Sequence, residues 1–129
     1  MTFSFFKNKK DFLAVGDIVT DAFIRIKEAH VNCLAEKCEL CLTYGDKIPF
    51  EFVEIVRAVG NSANAAVAVA RLGIDSSLVA AVGDDDEGSK CLTTLEAENV
   101  TTDHVCVNKG KKTNYHYVLW YDKDRTILV

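Results

Sequence analysis

From Gly60 to Gly73 the chain reads GNSANAAVAVARLG, and Arg71 is its only charge. Gly, Asn and Ser open a helix because small polar residues meet the unpaired N–H groups of a first turn, and a Gly past Leu72 closes it. The spacing predicts a helix over Ala63–Leu72. A helix that is apolar nearly all round has to be buried, and its alanines let it lie close against a sheet. Ser77–Val82 follows as a continuous apolar strand. Gly83-Asp84 then turns into a second helix over Asp86–Ala97, with Cys91, Leu92 and Leu95 on one face, and Val105 and Val107 begin another strand. Helix, strand, helix, strand in that order requires a parallel sheet with helices packed on it. The fold class is therefore α/β.

The flanks differ. Phe12–Val15, ending at Gly16, suits a buried strand. Ala22, Ile24 and Ile26 alternate with Phe23, Arg25 and Lys27, the period of a half-exposed strand. Residues 29–49 carry mixed charge, three cysteines and Gly45-Asp46, and read as an irregular excursion before a strand at Phe52–Val56. Tyr115–Tyr121 and Thr126–Val129 read as two strands joined by a turn at Asp122–Arg125. Such one-sided strands add an antiparallel β layer to the α/β core. With Pro49 as the only proline and no Gly/Ser-rich linker, one compact unit is expected. The last strand reaches Val129 without a polar tail, which predicts a chain that stops inside a larger fold.

Composition excludes several classes. Hydrophobic residues at 49% and charged residues at 26% rule out disorder for the chain as a whole. A net charge of −4 argues against general binding to nucleic acid or anionic lipid, which needs clustered cations. Lys7, Lys9 and Lys10 are the one early basic cluster, and a solvated terminus accounts for them. No run reaches membrane-spanning length. The opening MTFSFFKNKK places its lysines after its phenylalanines, unlike a signal peptide, so a cytoplasmic location is expected. Five cysteines cannot all pair within one chain, and reduced thiols are the simpler reading.

Four groups of residues could carry chemistry. At Gly60–Asn64 a helix start offers backbone N–H groups, Gly60 permits close approach, and Asn61 and Asn64 donate and accept hydrogen bonds as a polyhydroxy ligand requires. The same residues also serve as ordinary helix-start chemistry. Asp84-Asp85-Asp86-Glu87 could hold a metal or a base, or could simply complement the dipole of a first turn. Asp17 and Asp21 flank the end of the first strand, where a carboxylate could hold a substrate hydroxyl or stand solvated. His30, Cys33, Cys38 and Cys41 could close a zinc site, but only one C-x-x-C pair is present and the halves are very close in sequence. No Walker loop and no G-x-G-x-x-G occurs, and His104 and His116 read as strand residues.

The stretch from Gly60 to Gly73 resembles the first signature of the ribokinase-like (PfkB) carbohydrate kinases, with its Gly-Gly, short gap, Asn and helix ending Ala-Arg-Leu-Gly. GDIVTD at 16–21 is similar to the end of that family's first strand with its substrate-binding Asp. VAAVGDDDEG at 79–88, ENVTTDHV at 98–105 and the closing DRTILV are similar to later segments, in the same order. The resemblance implies a partial ribokinase-like fold, a parallel sheet core with helices plus an antiparallel β lid. Residues 1–129 would be the N-terminal part of a single domain, with lid strands at about 22–53 and 114–121. By position, Asp21 would bind sugar hydroxyls, Gly60 and Asn61 would line the sugar pocket, and Asn64 would contact substrate or brace the loop. The lid would cover the sugar and, as in many relatives, form a homodimer contact. Val59 stands where the family has the first Gly of its pair.

The family's Gly-Ala-Gly-Asp motif, which carries its general base and anion hole, has no counterpart here, because Ala81-Val82-Gly83-Asp84 lies in another segment. The resemblance therefore implies a substrate-binding and lid portion of an ATP-dependent sugar or nucleoside kinase that is inactive alone. ATP and Mg2+ serve the full-length enzyme, with neither expected on this chain and no catalytic or metal-binding residue assigned to it. A non-catalytic binding or dimerisation module is the alternative, and a zinc-stabilised one on His30, Cys33, Cys38 and Cys41 the third.

Overall fold

The structure is a computed structural model and describes residues 12–129; the lysine cluster at 7–10 lies outside the described residues. In chain order the elements are β1 (Phe12–Val15), β2 (Val19–Ile26), β3 (His30–Leu34), β4 (Lys37–Cys41), β5 (Phe50–Val59), α1 (Asn61–Arg71), β6 (Ser76–Gly83), α2 (Asp86–Ala97), β7 (Val100–Thr101), β8 (Val105–Asn108), β9 (Asn114–Tyr121) and β10 (Asp124–Leu128). They form two compact units. The first comprises the described residues to Thr20 and Arg57–Asn114, the second Asp21–Val56 and Tyr115–Val129. No Gly/Ser-rich linker marks the crossings between them.

The first unit is the expected α/β core. β1 runs parallel to β6 from Phe12 opposite Ser76 to Val15 opposite Val79. The other edge of β6 takes β7 at Ser76–Ser77 and β8 at Ala80–Gly83, both parallel. The core joins Ala63 and Ala66 of α1, Cys91 and Leu95 of α2, and Ala14, Ile18, Leu78, Val82 and Val100. Alanine at the α1 contact brings the helix backbone so close that the buried Ser76 hydroxyl donates to the Ala66 carbonyl at 2.8 Å.

Two burial expectations are corrected. Only Ser62, Ala63 and Ala66 of α1 are buried, while Asn64, Ala68 and Arg71 are exposed. Alanine is tolerated on either face of a helix, so an alanine-rich sequence does not show which face is covered. In β1 only Ala14 is buried, and Leu13 and Val15 are exposed.

The second unit holds a four-stranded sheet in the order β10-β9-β2-β5. β9 and β10 form the expected antiparallel hairpin, closed at Tyr121 opposite Asp124. Arg25 lies 4.4 Å over the Trp120 ring and donates from Nη1 to the Asp122 carbonyl at 2.9 Å, and Phe52 meets Trp120 edge-on. The stretch read as irregular is instead an antiparallel hairpin, β3–β4. Every residue of β3 is exposed, so no alternating pattern announced it.

The expectation of reduced thiols fails for two cysteines. Cys33 and Cys38 face each other across the hairpin and are joined by a disulfide. His30 stands opposite Cys41. Strand alternation places His30 and Cys41 on one face and Cys33 and Cys38 on the other, so these four do not converge as zinc ligands. Among the described residues no three His, Cys, Asp or Glu gather as a metal site. No described helix is long and apolar enough to cross a membrane. A two-stranded hairpin is marginal in water, and a disulfide closing so short a loop contributes about 2 kcal/mol. Reduction is expected to raise hydrogen exchange across residues 30–41 and to leave α1 and α2 protected, as mass spectrometry with and without a dithiol reductant would show.

Candidate ligand-binding site

The two helices of the first unit begin differently. α2 has a complete N-terminus. Asp85 is its N-cap and accepts from Gly88 N–H at 2.9 Å, from the Thr113 hydroxyl at 2.6 Å and from Thr113 N–H at 3.1 Å. Asp84 accepts from Gly110 N–H at 2.8 Å. Asp86 pairs with Lys90, and Glu87 with Lys90 and Arg57 at 3.0 and 3.1 Å. The acidic run thus acts as cap and ion-pair framework, and its carboxylates are engaged.

The Thr113 hydroxyl first, then the Gly88 and Thr113 N–H groups, lower the Asp85 carboxyl from 3.8 to about 2. A carboxyl whose folded value lies below its unfolded one contributes stability that is complete above the unfolded value and is lost as pH falls through the folded one. The Asp85 contribution should therefore fade between about pH 4 and pH 2. Asp85→Asn should flatten that part of the profile, read as urea midpoints from pH 6 to pH 2.

α1 has no such cap. Its N-cap is Gly60, with no side-chain hydrogen bond to the first turn and no acidic residue in it. The one local side-chain bond points elsewhere: the Ser62 hydroxyl donates to the Asp17 carbonyl at 2.6 Å. That bond ties the helix start to the loop after β1, at the carboxyl end of a parallel strand, where ligands of open α/β sheets are usually held. A side chain on Gly60 would meet Asp17 Oδ1 and the Asp17 carbonyl at 3.1 Å. Asn61 and Asn64 are both exposed. First-turn N–H groups, two amide side chains and the Asp17 carboxylate can together donate to and accept from a neutral polyol.

Of the expected site residues, the structure brings Gly60, Asn61 and Asn64 together in the first unit. Asp21 belongs to the second. It lies on β2, its side chain 21% exposed, and its Oδ1 is buried without a hydrogen bond. Nδ1 of His116, on the neighbouring strand β9, is 3.3 Å from that oxygen. Sequence reasoning missed His116, since only strand pairing reveals its partner. It also missed Thr113, whose role depends on a contact 28 residues away.

A family model described as pfkB family carbohydrate kinase matches residues 51–129. The chain belongs to that family. Ribokinase of Bacillus subtilis (strain 168) is 36% identical over 70 residues, 54% of this chain and 24% of that protein. The crystal structure of ribokinase from Cryptococcus neoformans var. grubii serotype A, in complex with ADP, superposes with a TM-score of 0.71 at 26% identity, covering 93% of this chain and 34% of that one. The structure of Arabidopsis thaliana ribokinase complexed with ribose and ATP has a TM-score of 0.71 at 22% identity, covering 91% of this chain and 34% of that one, and shows the fold alone. The chain thus spans about a quarter of its curated ribokinase relative and about a third of these structures. The partial ribokinase-like fold is the one expected from the sequence.

Proposed function

We propose that this chain is the substrate-binding and lid portion of an ATP-dependent sugar or nucleoside kinase. The observation that carries this reading is the uncapped start of α1, tied to the loop after β1, in a chain of a carbohydrate kinase family. In the first unit Gly60 admits a ligand to the backbone, Asn61 presents its amide to hydroxyls, and Asn64 contacts the ligand or braces the turn. In the second unit Asp21 accepts from sugar hydroxyls through Oδ2, since its Oδ1 is buried, and the 21% exposure of its side chain supports that role. The sheet of the second unit serves as the lid that excludes water.

Phosphoryl transfer needs a base, Mg2+, an in-line nucleotide and groups that stabilise the transferring charge. The acidic run does not fit Mg2+, since its carboxylates already accept from Gly110, Gly88 and Thr113 or pair with Lys90 and Arg57. The 129-residue chain is therefore expected to bind substrate without transferring phosphate. The test is thermal shift against D-ribose, D-fructose and adenosine, beside a phosphorylation assay with ATP. A ligand that binds only the folded state raises the melting temperature. Stabilisation by one of the three that is lost in Asp21→Ala supports the reading. No stabilisation, or phosphorylation by the chain alone, contradicts it.

A dimerisation role has its own support. Val53, Ile55, Tyr117 and Leu128 are each 44–50% exposed. Strand alternation and the Phe52–Trp120 contact place them on one face of the second unit's sheet. Exposed apolar side chains gathered on one sheet face favour association, so sedimentation velocity should show a concentration-dependent dimer.

A further inference from the structure

We infer that His116 is the positioning residue for Asp21: its Nδ1–H holds the buried Oδ1 and so aims the carboxylate's other oxygen at a ligand hydroxyl. The inference rests, for its ligand, on the reading of Asp21 as a sugar-binding residue. Its structural part stands on geometry within the second unit.

Asp21, Phe23 and Arg25 share one face of β2, and His116, Val118 and Trp120 one face of β9. Two contacts fix these faces against each other. Arg25 stacks on Trp120 at 4.4 Å, and His116 Nδ1 lies 3.3 Å from Asp21 Oδ1. The ring is 26% exposed, so its place is set by the sheet rather than by solvent. Oδ1 has no hydrogen-bond partner, although Nδ1 is within reach of it. A small rotation of the imidazole about its outer torsion, which is soft, brings Nδ1–H into line. Which ring nitrogen carries the proton is set by the hydrogen bond the ring makes. A carboxylate accepts only, so this pairing selects the Nδ1–H tautomer. The residue acts on the ligand through Asp21, and neither its own charge nor a proton transfer is required.

The test uses the full 129-residue chain at pH 8. Nitrogen-15 spectra of the imidazole should show the proton on Nδ1, and Asp21→Ala should move it to Nε2. D-ribose is the ligand probe. His116→Ala should weaken its binding about tenfold, while His116→Asn, whose amide nitrogen can overlay Nδ1, should stay within about threefold of wild type. Wild type with its proton on Nε2, a tautomer unchanged in Asp21→Ala, or equal ribose affinity in wild type and His116→Ala would each overturn the inference. Absence of ribose binding in wild type would count against ribose as the substrate of the proposed function. The tautomer measurement would then decide the role of His116 by itself.

Discussion

Gly60→Ala is expected to abolish ligand-induced stabilisation and to weaken sugar binding at least tenfold. Gly60 sits at φ 111°, ψ 159°, a backbone region open essentially to glycine alone. Forcing an alanine there costs about 1–3 kcal/mol. The added methyl would also lie 3.1 Å from both the Asp17 carbonyl and its Oδ1, and 3.3 Å from Cγ. Relief requires the turn to rotate, and the turn carries the first N–H groups of α1 and the Asn61 side chain. The helix itself is held through Ala63 and Ala66, which are fully buried, so the fold should survive while the site does not. Calorimetric titration with D-ribose beside a circular-dichroism melt separates these effects: a melting point lowered by a few degrees with no measurable binding is the expected pair.

Gly83→Ala is expected to destabilise the first unit strongly. A methyl at Gly83 would stand 2.3 Å from the Lys111 carbonyl oxygen and 2.7 Å from Lys112 C and Thr113 N. All three are backbone atoms, so no side chain can swing aside. The same junction is closed from the other side, where a methyl on Gly88 would meet the Gly83 carbonyl at 2.3 Å. Gly83 N–H also donates to the Thr113 hydroxyl at 3.0 Å, and that hydroxyl donates to Asp85, so displacing the 111–113 loop disturbs the cap of α2. Overpacking of this kind costs about 3 kcal/mol, a large share of a small domain's stability. A fall in melting temperature of about 15 °C should follow. Alanine at Gly45 or Gly110, where no neighbouring atom lies within 4 Å, meets only backbone strain and is the control.

How much of this was legible in the sequence depended on how local the cause was. α2 was readable because its cap, its acidic first turn and the face carrying Cys91 and Leu95 lie within twelve residues. β6 was readable because its run from Leu78 to Val82 is continuously apolar, although Val79 and Ala81 are exposed. The β3–β4 hairpin was not, because every residue of β3 and all of β4 but Leu40 are exposed, so no alternating pattern marks it. The burial of α1 was misjudged because alanine carries little information about which side faces the sheet. At the site, Gly60, Asn61 and Asn64 were visible as a helix start, but the absence of a cap there, and its contrast with α2, required coordinates. The Asp21–His116 and Asp85–Thr113 partnerships join residues far apart in sequence, and no spacing rule predicts them.

The most direct test of the proposed site is a titration of the nitrogen-15-labelled chain with D-ribose, D-fructose and adenosine, followed by amide resonance. The expected result is that one of them shifts Gly60, Asn61 and Asn64 together, along with Asp21 and His116, with saturation. Shifts confined to other residues, or no shift with any of the three at millimolar concentration, would contradict the assignment of the α1 start and Asp21 as the substrate-binding groups of this kinase-family chain.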